Sequence, residues 1–366
     1  MFDNVYYKKK VLITGHTGFK GAWLATWLLK LGANVVGVSK DIPTNPSLFE
    51  VLGLSDKVKH VVLDLRIFEN VKKIILDEKP DFVFHLAAQP IVSISYKNPL
   101  ETISSNVMGT TNILEALRIS NHECTTIIVT SDKAYDNVEQ IWGYKENDQM
   151  GGKDIYSGSK GSAELIIKSY YHSFFKLKNS KIRLSVARAG NVIGGGDWAK
   201  DRVVVDAVTA WSDNKIVNIR SPNATRPWQH VLEPLSGYLN LGMKLHYDNN
   251  LNGEGFNFGP LTKQNITVKH LLSEISKYWG FNNINDALII EDSNLFHEAT
   301  LLKLNCEKSL HLLKWQSALE YKDTIRLTSK WYHAYYKNSD NMEVVTKKQI
   351  SEYENIATLK QLQWTA

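Results

Sequence analysis

Short apolar and β-branched runs alternate along the chain with longer stretches whose apolar residues recur at helical spacing. Residues 11–14, 34–39, 59–63, 82–86, 126–131 and 183–188 read as strands, and helix-length segments lie between them, beginning with 19–31. Strand and helix in strict alternation predict an α/β fold: a doubly wound parallel sheet covered on both faces, with ligands bound beyond the carboxyl ends of its strands. The residues that end the strands therefore carry the most information. After about residue 195 the rhythm loosens into Gly-, Pro- and Trp-rich segments such as Gly194-Gly195-Gly196-Asp197-Trp198 and Arg226-Pro227-Trp228-Gln229-His230. The expected organisation is a first domain over 1–190, a smaller and mainly substrate-binding portion over 191–340 with segments free to return to the first, and a C-terminal helix or tail over 341–366.

The first strand runs directly into Gly15-His16-Thr17-Gly18-Phe19-Lys20-Gly21, and a helical stretch follows. Strand, glycine-rich turn and helix form a dinucleotide cradle of Rossmann type: Gly15 permits the turn, Gly18 lets backbone approach a pyrophosphate, and Gly21 lets the helix pack close. The helix N-terminus then faces the anion. Three glycines also fit an ordinary strand-to-helix turn, so the motif needs a partner. It has one about 140 residues on, where Tyr156 and Lys160 stand at i and i+4 and share a helix face. A nearby ammonium draws a tyrosine down from its reference pKa near ~10, and such a tyrosine removes a proton from an alcohol as hydride leaves the same carbon.

Composition narrows the class further. A chain of 366 residues, 43% of them hydrophobic, buries a full core. With a net charge of +5 and scattered basic residues, a nucleic-acid partner is not expected, and Lys8, Lys9 and Lys10 read as a solvated edge. The two cysteines, Cys124 and Cys306, lie too far apart in sequence for a C-x-x-C site, so neither a disulfide framework nor a metal is expected. No signal-like or membrane-length apolar run is evident, which makes the expected location cytoplasmic.

Five further segments give the chain a family likeness: Asn106-Val107-Met108-Gly109-Thr110, Trp142-Gly143-Tyr144, Gly151-Gly152-Lys153-Asp154, the run from Ala187 to Trp198, and Arg226 to Val231. With the cradle and the tyrosine-lysine pair they resemble the extended short-chain dehydrogenase/reductase superfamily (the NAD-dependent epimerase/dehydratase family), and within it the CDP-glucose 4,6-dehydratases. The resemblance covers about residues 8–335. It implies NAD as cofactor and CDP-glucose as substrate. It also implies a homodimer or homotetramer, and a role in deoxysugar synthesis for bacterial surface polysaccharides. A 4-epimerase or a dehydratase of another nucleotide sugar is the enzymatic alternative, and a non-catalytic NAD sensor the non-enzymatic one.

The likeness also distributes roles. Ser131 joins Tyr156 and Lys160 at the reacting oxygen. Asp132 and Lys133 stand where related dTDP-glucose dehydratases usually carry Asp and Glu as the acid and base of water elimination, and simple epimerases generally lack such a pair. A lysine base must be neutral, which costs about 4 to 5 kcal/mol from a reference pKa near ~10.4, so Asp132 and Lys133 are expected to titrate as a coupled pair. Gly15, His16, Thr17, Gly18, Phe19 and Gly21 surround the cofactor, with His16 against it. Asp41 holds the ribose hydroxyls, although the neighbouring Lys40 leaves NADP open on residues alone. Asp64 and Leu65 meet the adenine, Ala87 and Ala88 the middle of the cofactor, and Tyr156 and Lys160 complete the set. Lys20 is expected to be solvated, with a cofactor phosphate contact from inside the cradle as the alternative. On the substrate side, Arg202 and Arg226 take the diphosphate, Asn191, Asp197 and Trp198 grip the sugar nucleotide, and His297 and Glu298 contact the nucleotide. Departures from the family pattern are Ile155 and Val205 at usual proline positions and Gly158 at a usual alanine.

Overall fold

Six strands alternate with helices in the computed structural model, which describes residues 1–260, 266–290 and 301–366. They are β1 (Lys10–Thr14), β2 (Asn34–Ser39), β3 (Lys59–Val62), β4 (Phe82–His85), β5 (Cys124–Val129) and β6 (Ile182–Ala189). A seventh strand, Gly255–Phe258, joins the same sheet, and the order is Gly255–Phe258, β6, β5, β4, β1, β2, β3. Every pairing is parallel, as the alternation predicts.

Side-chain alternation divides the interior into two cores, one on each face of the sheet. Val11, Ile13, Phe82, Phe84, Ile127 and Val129 belong to one, while Leu12, Val83 and Ile128 belong to the other. Every residue of β4 and β5 is buried, which explains why these strands read as unbroken apolar and Thr-rich runs. The strand order reverses between β1 and β4, so the turns leaving these strands meet at the switch point where such folds bind ligands. There the amide of Ala87 donates to Thr14 Oγ1 at 3.2 Å.

Beyond β6 the described residues form three small two-stranded sheets, pairing Val192–Ile193 with Gln229–His230, Thr225–Arg226 with Ile266–Thr267, and Val217–Ile219 with Leu288–Ile290. Between them the buried helix Leu232–Tyr247 packs on β5 and β6 before the seventh strand enters the sheet. The last helix, Met342–Leu359, docks on the first, Phe19–Lys30: Trp27 Nε1 donates to Glu354 Oε1 at 2.9 Å, and Lys30 pairs with the same carboxylate. Trp364 stacks on Phe2 with ring centres 5.1 Å apart, so the two ends of the chain close one core. The basic edge is partly paired: Lys9 and Lys10 reach Asp81 and Glu78, each at 3.1 Å. Among the described residues no helix is long and apolar enough to cross a membrane, and no cluster of side chains has the makings of a metal site.

Candidate active site

One end of the cleft is made of backbone. Gly15 has φ +76°, and a Cβ there would stand 2.9 Å from the backbone of Ala87; at Gly21 it would stand 2.1 Å from the carbonyl oxygen of Gly15. The helix Phe19–Lys30 begins at Gly18 with no side chain capping its first turn. Uncapped N–H groups beside a turn that side chains cannot enter fit a dinucleotide's diphosphate. Thr17 holds the turn to the end of β2, its hydroxyl donating to the Asp41 carbonyl at 2.7 Å. The Asp41 side chain is exposed, 3.8 Å from Lys40 Nζ. Asp64, after β3, is held by Arg66 at 2.6 Å, and this hydrogen bond keeps its carboxyl below the usual range. Leu65 is buried, its carbonyl accepting from Asn112 Nδ2 at 2.7 Å.

His16 departs from expectation. Its ring has no exposed surface and fills the space left by Gly37, where a Cβ would come within 2.2 Å. Nε2 lies 2.8 Å from His60 Nδ1 and Nδ1 lies 3.0 Å from Ser39 Oγ, with burial holding the ring neutral at a pKa of about 4. The ring thus packs behind the turn, and only the His16 backbone remains within it.

The other end is made of ionisable side chains. Thr130, Ser131, Asp132 and Lys133 follow β5, and the turn is fixed by Ser131 Oγ, which accepts from the amide of Lys133 at 3.2 Å and donates to Asp132 Oδ1 at 3.0 Å. Tyr156 and Lys160, both buried, lie on the helix Ile155–Tyr170, whose start is capped by Asp154 through the amide of Ser157 at 2.9 Å. Two sets of bonds aim this helix. Asn106 bridges from the Gln89 amide (2.8 Å) to Ser159 Oγ (2.9 Å). Glu164 accepts from Arg188 Nε at 2.8 Å, Arg188 Nη2 at 3.0 Å and Thr130 Oγ1 at 2.5 Å, while Arg188 also donates to Tyr135 Oη at 2.6 Å.

Burial sets the charges of this end. It pushes the Tyr156 phenol up to about 12, with the Ser131 hydroxyl pulling the other way, so the expected drop toward neutrality does not occur in the protein alone. Desolvation of the phenolate outweighs its neighbours, and Lys160 is itself brought down to about 8 by burial. Asp132 is raised by burial, opposed by Lys133, Ser131, Lys20 and Arg226. Its carboxyl occupies the space a side chain at Gly190 would need, since a Cβ there would stand 1.9 Å from Asp132 Oδ2. Lys20 is a second correction: it is half-buried rather than freely solvated, its amine lowered to about 8 first by burial and then by Arg202 and Lys160, with Asp132 and Asp197 opposing.

On the substrate side, Arg202 Nη1 pairs with Asp197 Oδ2 at 3.1 Å. Arg226 Nη1 donates to the carbonyl of Thr225 at 2.9 Å, and its charge reaches Asp132. Asn191 stands at the turn after β6 with φ +29°, its carbonyl accepting from the Gln229 amide at 3.2 Å. Trp198 is turned into the core, packed against Trp331 and Tyr335 with its N–H on Tyr336 Oη at 2.9 Å, so its ring has little left to offer a ligand. His297 and Glu298 lie outside the described residues.

Residues 12–328 match the GDP-mannose 4,6 dehydratase family. The chain belongs to that family. It is 44% identical to the CDP-glucose 4,6-dehydratase of Salmonella typhimurium, over 97% of this chain and 99% of the other, and 24% identical to the CDP-paratose 2-epimerase of Salmonella typhi, over 88% and 98%. Its fold is shared with the UDP-glucose 4-epimerase of Thermotoga maritima, solved with UDP-glucose (TM-score 0.78, 20% identity, 90% of this chain and 100% of that one). It is likewise shared with the dTDP-glucose 4,6-dehydratase of Bacillus anthracis, solved with NAD (TM-score 0.73, 20% identity, 89% and 96%). Within this dehydratase family fold, sequence reading missed the Arg188–Glu164 pair, whose only local signal is that Glu164 lies four residues after Lys160 on the same helix face.

Proposed function

We propose that this protein is a CDP-glucose 4,6-dehydratase, converting CDP-D-glucose to CDP-4-keto-6-deoxy-D-glucose. The observation that carries the reading is the buried cluster of Ser131, Asp132, Tyr156 and Lys160 at the strand ends. Full-length similarity to a CDP-glucose 4,6-dehydratase supports it.

The backbone of Gly15, Thr17, Gly18, Phe19 and Gly21 would hold the NAD diphosphate, Asp41 the adenosine ribose, Asp64 and Leu65 the adenine, and Ala87, Ala88, Tyr156 and Lys160 the remainder. NAD, when bound, would supply the hydride acceptor for C4 and the hydride donor for C6. Tyr156 takes the proton of the C4 hydroxyl, and Ser131 hydrogen-bonds the same oxygen. The hydroxyl of Ser131 and the charge of Arg202 oppose the burial that makes the phenol a weak acid, and the ammonium of Lys160 on the same helix face would add to them. Once C4 is a ketone the C5 proton becomes acidic. Asp132, kept protonated further up the pH scale by burial, donates to the departing C6 hydroxyl, with Lys133 beside it as its partner in the elimination. Arg202 and Arg226 take the diphosphate, and Asn191 and Asp197 stand beside the sugar. Homodimeric or homotetrameric assembly, a cytoplasmic location and a role in making deoxysugars for surface polysaccharides complete the reading.

The test is to offer purified protein and NAD, in turn, CDP-, dTDP-, GDP- and UDP-glucose. Loss of one water from CDP-glucose in strong preference to the others is the expected result. Dehydration of another sugar nucleotide in its place would overturn the nucleotide assignment, and a product of unchanged mass would mean epimerisation.

A further inference from the structure

The turn that carries Ser131, Asp132 and Lys133 is gripped at both flanks by one buried ion pair. The side chains of Glu164 and Arg188 are each 6% exposed, and guanidinium meets carboxylate in two bonds, Nε to Oε1 at 2.8 Å and Nη2 to Oε2 at 3.0 Å. On the near flank Thr130 Oγ1 donates to Glu164 Oε1 at 2.5 Å, and on the far flank Arg188 Nη1 donates to Tyr135 Oη at 2.6 Å. The guanidinium also lies over the Tyr135 ring, 5.1 Å from its centre. Tyr135 Oη in turn donates to Asn257 Oδ1 on the seventh strand at 2.8 Å, which ties the far flank to the sheet. Two residues beyond Arg188, at the exit of β6, Gly190 leaves the space in which the Asp132 carboxyl lies.

The two groups of reacting side chains are held by different bonds. Tyr156 and Lys160 stand on the helix Ile155–Tyr170, which Asp154 caps and Asn106 holds through Ser159, both without the ion pair. Asp132 and Lys133 stand on a single 3₁₀ turn, Asp132–Ala134, too short to fix a side chain's direction by its own hydrogen bonds. We propose that Glu164 and Arg188 are positioning residues for elimination: by clasping Thr130 and Tyr135 they hold Asp132 and Lys133 toward C5 and C6 of the sugar while Tyr156 and Lys160 act at C4. Glu164 rides on the tyrosine helix, so the clasp also sets the spacing between the two groups. A bidentate arginine-carboxylate pair suits this task, because its parallel bonds fix direction as well as distance. Displacement of a reacting group by about 1 Å costs on the order of 10²-fold in rate. Oxidation at C4 draws mainly on the helix, whereas elimination needs helix and turn together, so a loosened clasp slows elimination more. Glu164 further opposes the burial that lowers the Lys160 amine to about 8.

The clasp's role rests on the dehydratase reading, and one experiment distinguishes their failures. Removing either charge would strand the other in the core and threaten folding itself, so the variants cut the neutral bonds and leave the pair whole. Wild type, Thr130→Val, Thr130→Ser, Tyr135→Phe and Tyr170→Phe are each given NAD and CDP-glucose, and kcat, KM, reduced-nicotinamide absorbance and thermal melting are recorded. Tyr170 lies at the far end of the same helix with its hydroxyl on Glu115 Oε2 at 3.2 Å, and its variant controls for the loss of a hydroxyl. Thr130→Val and Tyr135→Phe are expected to lose about tenfold or more of kcat with KM within about threefold, and to accumulate reduced cofactor during turnover. Thr130→Ser is expected to return kcat to within about twofold of wild type, and Tyr170→Phe to leave it there. Unchanged kcat in Thr130→Val and Tyr135→Phe, with only the melting temperature lowered, would make the pair a stabiliser of the fold and overturn the proposal. A rate loss without reduced cofactor, which places the damage at oxidation, would overturn it too, as would a loss that Thr130→Ser does not repair. If wild type dehydrates a different sugar nucleotide, the CDP-glucose reading falls and the same comparison on that substrate decides the clasp. If it dehydrates none, both fall.

Discussion

The two ends of the cleft are built on opposite principles. At the cradle, missing side chains and backbone N–H groups do the work: Gly15, Gly18 and Gly21 leave room, and the uncapped helix start supplies the donors. At the turn beyond β5 and in the facing helix stand Asp132, Tyr156 and Lys160, and burial moves each toward its neutral form. The first end is a shape, fixed by backbone sterics. The second is a balance of charges, in which each group's protonation depends on how deeply the others are buried. A substitution at the cradle should act on cofactor binding, and one at the chemical end on turnover.

The sharpest way to break that division is Tyr156→Phe. Turnover is expected to fall by roughly 10³- to 10⁴-fold while NAD affinity, measured by calorimetry, loses no more than the roughly tenfold that one hydroxyl's hydrogen bond is worth. A matching collapse of affinity would mean that the ends are not separable. Gly190→Ala comes next: the new methyl collides with the Asp132 carboxyl, so dehydration is expected to drop by about 10²-fold, with C4 oxidation persisting in single-turnover absorbance. Gly15→Ala probes the other end. A non-glycine residue in the left-handed region costs ~1–2 kcal/mol, and the methyl would press on Ala87, so NAD affinity should weaken about tenfold or more with little change in saturated turnover. The smallest effect is expected at Gly158, where a Cβ would meet nothing within 4 Å on the tyrosine helix. Gly158→Ala should stabilise the protein by ~0.5–1 kcal/mol in thermal melts and leave turnover unchanged.

The same contrast explains what was legible in the sequence. A cradle is local: strand, glycines and helix lie within about 20 consecutive residues, and the spacing states the geometry. The parallel sheet was legible for a similar reason, because its central strands are buried on both faces and read as apolar runs. The seventh strand, Gly255–Phe258, was not, since its sequence is short and weakly patterned and its strand character comes from pairing with β6. Expected strand 126–131 ends in the structure at Val129, because the Ser131 side chain bends the next residues into the turn that presents Asp132. The direction of the His16 ring was beyond sequence reading for a physical reason. Its place behind the turn is decided by Gly37, Ser39 and His60, all distant in sequence. The lowered tyrosine pKa was expected from a single neighbour, and failed because spacing reveals which groups adjoin but not how much water they have lost.

The central claim is that one buried cluster oxidises C4, eliminates water and returns the same hydride to C6. The most direct measurement is to give the protein NAD and CDP-glucose carrying deuterium at C4, and to locate the label in the product. Deuterium at C6 of a product lighter by one water is the predicted result. Label lost to solvent, retained at C4 in a product of unchanged mass, or left on free reduced cofactor would contradict it.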